Sequence, residues 1–187
     1  QIPASGITEE DRSMIKGEAL FLRGYQYFLL VNNYKEVPLR LIPSNEDETN
    51  KGPASEAALW TQVEEDLGNA IKCNLPVERT TAKERVTKGA AIAMLGKVYS
   101  TQHKYPEAKQ LLVSLLSAPY SYELVDDFAK NFTNEEEFNK ESVYEIAYSP
   151  DGEYSWSNES GICLGCYIPQ FIGPVKSGGW AKLMPNS

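Results

Sequence analysis

His103 is the single imidazole of this 187-residue chain, so a Ser-His-Asp or Cys-His pair must use it or be absent. It sits among Thr101, Gln102 and Lys104, a polar stretch between two helical patterns, and reads as a solvated loop histidine. Cys163 and Cys166 form one C-x-x-C. A structural zinc site takes four ligands, and no second C-x-x-C or His pair completes it. A thioredoxin-like motif opens a helix after a strand, whereas this one lies among Gly, Ser and aromatic residues. No metal and no cofactor are therefore expected. Cys73, near a helix end, reads as a small core residue. The acidic pairs Glu64/Asp66 and Glu135/Glu137 could cleave a glycosidic bond only by facing each other across a sugar, roughly 5 to 9 Å apart. On helix faces and turns they read as solvated charge.

What remains is aromatic chemistry. The chain carries 11 Tyr, 6 Phe and 3 Trp, a composition that fits a binding surface, although Tyr is also ordinary core filling. Tyr154, Trp156, Tyr167, Phe171 and Trp180 fall in a stretch with little periodicity that also holds Gly152, Gly161, Gly165, Gly173, Gly178 and Gly179. Loops of this kind are where binding is carried.

Composition bounds the partners. With 18 Lys+Arg against 26 Asp+Glu the net charge is −8 and the pI about 4.8, which excludes nucleic acid as an expected partner. At 42% hydrophobic and 24% charged the chain is globular, and one domain is the expectation at this length. No apolar run reaches the roughly 18–20 residues of a membrane span. The chain opens on Gln1 without a basic stretch and an apolar core, so no signal peptide is expected within it. It stops at Ser187 after a Gly-rich stretch, and reads as a piece of something longer.

Helical spacing dominates the first two thirds. Over residues 9–34, Ile15, Ala19, Leu22 and Leu29 share one face while Phe21, Tyr25 and Phe28 share another, which predicts burial against more than one neighbour. Thr8 and the acids Glu9, Glu10 and Asp11 supply its cap and first turn. Residues 34–53 hold Pro38, Pro43, Gly52 and Pro53 and read as an extended loop. A second helix starts near Ser55 with Leu59, Val63, Leu67, Ala70 and Ile71 on its stripe, ending before Pro76. A third spans about 87–102, with Ala91, Met94, Leu95 and Val98. A fourth opens at Tyr105-Pro106, carries Ala108, Leu111, Leu112, Leu115 and Leu116, and is ended by Pro119. This makes two antiparallel hairpins.

The third and fourth helices follow the tetratricopeptide (TPR) pattern, with Leu95-Gly96 before Tyr99, then Tyr105, Ala108, Leu112 and Leu115, and Pro119 near the closing position. Gly96 and Ala108 would let two backbones approach while Tyr99 and Tyr105 fill the groove beside them. The first two helices read as a degenerate repeat. Beyond Pro119, residues 126–138 read as a short helix and an acidic turn, and residues 143–148 alternate as a short strand. The expected fold is mainly α: TPR-like hairpins (an α-α superhelix) over 1–119, then an incomplete loop-rich region with a short β-strand over 120–187.

The run from Glu18 through Arg23-Gly24-Tyr25-Gln26-Tyr27-Phe28 to Tyr34, followed by Val37-Pro38-Leu39, resembles the signature helix of the SusD/RagB family. Thr87-Lys88-Gly89-Ala90-Ala91, Glu141-Ser142-Val143-Tyr144-Glu145-Ile146 and Gly178-Gly179-Trp180 with Pro185 resemble three further family stretches, in order. The family more often has Ala at Gly24 and Gly-Asp at Lys35-Glu36. The resemblance implies an internal portion of a longer outer-membrane, surface-exposed lipoprotein of Bacteroidetes, joined to the membrane only by a lipid anchor outside this chain. It further implies a non-catalytic protein that binds oligosaccharides and delivers them to a SusC-like TonB-dependent transporter. Aromatic faces stack on sugar rings, which makes Trp156, Trp180, Tyr154 and Tyr167 the ligand-binding candidates. Trp180 can equally pack the junction between the repeats and the loop-rich half. The alternative function is a TPR-type scaffold for protein–protein interaction, whose groove needs about three stacked repeats.

Overall fold

A computed structural model describes residues 6–42 and 50–147. Four α-helices lie among them: α1 (Glu9–Tyr34), α2 (Glu56–Lys72), α3 (Lys88–Thr101) and α4 (Tyr105–Ser114). Single 3-10 turns follow at Phe128–Phe132 and Asn134–Glu136, where a short helix and acidic turn were expected. None of the helices is long and apolar enough to cross a membrane.

Each α-helix start follows from local chemistry. The side chains of Thr8, Ser55 and Thr87 accept the backbone N–H groups of Asp11, Ala58 and Ala90, capping α1, α2 and α3 and satisfying donors that have no partner inside the helix. At α4, Pro106 sits in the first turn, where a missing N–H costs nothing.

The helices pack consecutively, α1 on α2, α2 on α3 and α3 on α4. Contacts fix the direction. Gly17 of α1 abuts Cys73 at the end of α2, Gly24 abuts Leu67, Phe28 meets Trp60, and Lys35 pairs with Glu56 at the start of α2. Descending partners for ascending residues mean antiparallel helices. The α3–α4 hairpin closes at Gly96, where a Cβ would lie 2.7 Å from Leu112 Cδ2, so the TPR-like close approach is present. Ala108 is buried beside it. The helical, TPR-type fold expected from the sequence is the one observed.

Three details differ from the sequence expectations. On α1 the buried ridge is Gly17, Phe21, Gly24, Phe28 and Val31, whereas Leu22 and Leu29 of the other apolar face remain 45% and 37% exposed. The second neighbour of α1 is instead residues 37–42: Tyr27 Oη accepts the Arg40 N–H at 2.7 Å and reaches the Arg40 carbonyl at 3.2 Å. Tyr105 does not fill the groove between α3 and α4; it lies exposed with its hydroxyl 2.7 Å from His103 Nδ1. No strand is found over residues 143–147. A strand requires a ladder of backbone bonds, and here Val143 and Tyr144, adjacent in sequence, both pack on the core. Alternation is broken because the core takes two successive side chains.

The core comprises Phe21, Val31, Leu59, Val63, Leu67, Ala91 and Val98 with their neighbours. Among the described residues its one buried charge is Asp66, 1% exposed. Arg23 donates to it twice, Nε at 2.7 Å and Nη2 at 2.6 Å, and Gln62 donates at 2.9 Å. A bidentate pair satisfies a buried carboxylate in a way a single bond does not.

Candidate functional site

Tyr154, Trp156, Tyr167 and Trp180, together with Cys163 and Cys166, lie outside the described residues. The acidic pair Glu64/Asp66 is divided: Glu64 receives Lys104 and Gln102, and Asp66 is held by Arg23. His103 is exposed at the α3–α4 turn with φ 62°. Cys73 is half-buried at the end of α2. Among the described residues no three His, Cys, Asp or Glu side chains group as a metal site.

One cavity of about 300 Å³ does stand out, formed by three segments that meet beside α3: residues 77–87, 119–122 and 138–145. Its principal walls are Arg79, Tyr120, Tyr122, Asn139, Ser142 and Tyr144. Tyr120, Ser121 and Tyr122 carry no helical structure, and in an extended chain residues two apart point to the same side. The two tyrosine rings accordingly lie side by side, 12° from parallel with centroids 6.2 Å apart. Tyr122 reaches the first turn of α3, where a Cβ on Gly89 would sit 2.9 Å from its ring carbons. Tyr144 meets Phe21 edge to face at 5.1 Å, tying the wall to the core.

A network of bonds fixes the remaining wall. Arg79 is ion-paired with Glu18 of α1 and donates to the Val86 carbonyl at 3.1 and 3.2 Å. Glu123 N–H donates to the Lys140 carbonyl at 3.0 Å, and Lys88 N–H to that of Pro76 at 2.8 Å. Asn139 donates to Asn131 and accepts the Glu141 N–H, both at 2.9 Å. Glu145 accepts the Phe138 N–H.

Burial raises the Tyr120 phenol above its ordinary value, with neighbouring Tyr122 adding to it, and burial raises Tyr144 likewise. All three causes favour the neutral phenol, so these groups remain hydroxyls that both donate and accept. Burial lowers the Arg79 guanidinium, opposed by Glu18. The sequence pattern pointing here is Tyr-Ser-Tyr directly after Pro119: two aromatics at strand spacing outside any helix. That signal is weaker than the aromatic, Gly-rich stretch downstream, and its partner Tyr144 comes from a segment whose alternation suggests a strand.

Comparison with known proteins places this architecture. Residues 2–100 match a SusD-like family described as starch-binding and associating with the outer membrane. Among solved structures, a SusD superfamily protein from Bacteroides vulgatus is 38% identical, with a TM-score of 0.69 over 75% of this chain and 30% of that one. A laminarin-binding SusD-like protein is 33% identical, with a TM-score of 0.79 over 84% of this chain and 36% of that one. A SusD-like carbohydrate-binding protein from Bacteroides fragilis shares the fold at 22% identity, with a TM-score of 0.75 over 95% of this chain and 33% of that one. No curated protein sequence matches. The chain thus spans about a third of the length of each of these structures. The family match covers the signature helix, its strap at 37–42 and the opening helix of the second hairpin, and the chain belongs to the SusD-like family.

Proposed function

We propose that this chain is the helical-repeat portion of a surface protein that binds oligosaccharides at the outer membrane and delivers them to a SusC-like TonB-dependent transporter without cleaving them. The observation that carries the reading is the 33% identity, over 84% of this chain, to a laminarin-binding SusD-like protein. The family description, starch-binding and outer-membrane-associated, supports the same ligand class and location. In this reading residues 1–119 form the repeat region, residues 120–187 the loop-rich region, and both belong to one SusD-like domain. Trp156, Trp180, Tyr154 and Tyr167 supply stacking faces for sugar rings. Glu64 and Asp66 are engaged by Lys104 and Arg23, which leaves them poorly suited to acid–base work on a substrate.

A TPR-type scaffold is less favoured. The described helices make two hairpins, and a peptide-binding groove takes about three stacked repeats.

The test is calorimetric titration of laminarihexaose and maltoheptaose into the chain, with chromatography of the sugar afterwards. A saturable heat with the sugar recovered intact is expected. Shorter sugars would overturn the non-catalytic assignment, and absence of any heat from a folded chain would overturn glycan binding by this portion.

A further inference from the structure

The cavity beside α3 has the chemistry of a ligand site, and its walls say what kind. Tyr120, Tyr122 and Tyr144 offer aromatic surface, and Tyr120, Tyr144 and Ser142 offer three hydroxyls. None of these three hydroxyls takes a hydrogen-bond partner among the described residues. Polar side chains turned towards a cavity without partners are available to a ligand that brings its own donors and acceptors.

The charges argue against an anionic ligand. Arg79 is committed to Glu18 and the Val86 carbonyl, and Lys140 is shared between Glu123 and Asp126. Glu78 and Glu145 lie on the same lining as Lys83, so no uncompensated positive cluster forms. An apolar ligand would cover the Tyr120, Tyr144 and Ser142 hydroxyls and leave them unpaired, at a cost for each. A neutral, hydroxyl-rich ring with one apolar face meets both conditions. The volume, about 300 Å³, lies at the small end of the roughly 300–1,000 Å³ typical of small-molecule pockets, which suits one or two rings rather than a long chain.

The walls are also held in place before any ligand arrives. Tyr144 is braced by Phe21, Tyr122 by the side-chain-free surface of Gly89, and the 138–145 segment by the Asn131–Asn139–Glu141 bonds. Pre-organisation reduces the ordering cost of binding.

We propose that this cavity is a saccharide subsite carried by the helical-repeat portion itself, in which a neutral sugar ring packs on Tyr120 and Tyr122 and bonds the hydroxyls of Ser142 and Tyr144. The subsite rests on the oligosaccharide reading above and is separate from the aromatic stretch at residues 154–180.

The experiment uses the full 187-residue chain, isotope-labelled, titrated with laminarihexaose, maltoheptaose and trigalacturonate and followed by amide NMR and calorimetry. Shifts at the Ser121, Tyr122 and Ser142 amides with a neutral sugar are expected, together with binding weakened roughly tenfold in Tyr120→Ala and largely restored in Tyr120→Phe. Ser142→Ala, with circular dichroism on every variant, serves if Tyr120→Ala fails to fold. Neutral sugar bound with no shift at those amides, and unchanged affinity in the variants, overturns the subsite while leaving the oligosaccharide reading intact. Binding of trigalacturonate alone at those amides overturns the neutral assignment. Failure of the folded chain to bind any of the three sugars overturns both.

Discussion

The ring of Tyr122 occupies the space that a side chain at Gly89 would need: a Cβ there would lie 2.9 Å from ring atoms Cε2 and Cζ. Gly89 stands in the first turn of α3, a position where helix propensity alone favours Ala by about 1 kcal/mol. The glycine is explained by the tyrosine, and the tyrosine's position is what shapes one wall of the cavity. Gly89→Val should displace Tyr122 and separate it from Tyr120. We expect stability to change by no more than about 1–2 kcal/mol, with clear shifts of the Tyr120 and Tyr122 ring resonances in the NMR spectrum. Unchanged ring resonances would show that α3 yields instead of the tyrosine.

Asp66 depends on Arg23 for its place in the core. Arg23→Ala leaves a carboxylate that is 1% exposed with Gln62 as its remaining side-chain donor. Breaking such a pair from one side costs about 3–5 kcal/mol, and urea unfolding should show a loss in that range. Arg23→Lys should recover only part of it, because an ammonium cannot reproduce the two parallel bonds. A loss under about 1 kcal/mol in Arg23→Ala would mean the pair contributes as weakly as a surface one.

Lys35 ends α1 with φ 66° and ψ −59°, and the Glu36 N–H closes onto the Tyr34 carbonyl at 2.7 Å. That is a γ-turn in the strained, positive-φ form. Glycine adopts this conformation without steric cost. Lys35→Gly should stabilise by about 1 kcal/mol, since the Lys35–Glu56 pair it removes is exposed and screened by solvent. Calorimetry should record a rise in Tm of roughly 2–4 °C. A fall would indicate that the ion pair outweighs the turn strain.

The Glu141 carboxylate accepts the Val125 N–H at 3.0 Å and the Asn131 amide at 3.2 Å, bonds that hold it below the 4.5 of an unperturbed glutamate. A depressed folded value means that its contribution to stability is present above the ordinary value and is lost as pH falls through the folded one. The Val125 amide resonance should therefore titrate with a midpoint below 4.5, and the transition should vanish in Glu141→Gln. A midpoint at or above that value would refute the assignment.

The helical architecture was legible in residue order because its causes are local. Caps at Thr8, Ser55 and Thr87 lie within four residues of the donors they satisfy, and Gly96 with Ala108 marks a hairpin whose two helices are three residues apart. The signature run from Glu18 to Tyr34 was legible for a related reason: Arg23, Gly24 and Tyr27 each serve a distinct partner, namely Asp66, Leu67 and Arg40. Periodicity alone could not rank the two apolar faces of α1. Leu22 is as hydrophobic as Phe21, and which one is buried depends on where α2 lies.

The residues themselves determined the helices, their order and the family. Tertiary structure decided the cavity, because it joins residues 79, 120–122 and 139–144, which no local pattern connects. It also decided that residues 143–147 form no strand. Phe21 and its neighbours draw both Val143 and Tyr144 inward, and side-chain alternation yields to a core that sits more than a hundred residues away in the chain.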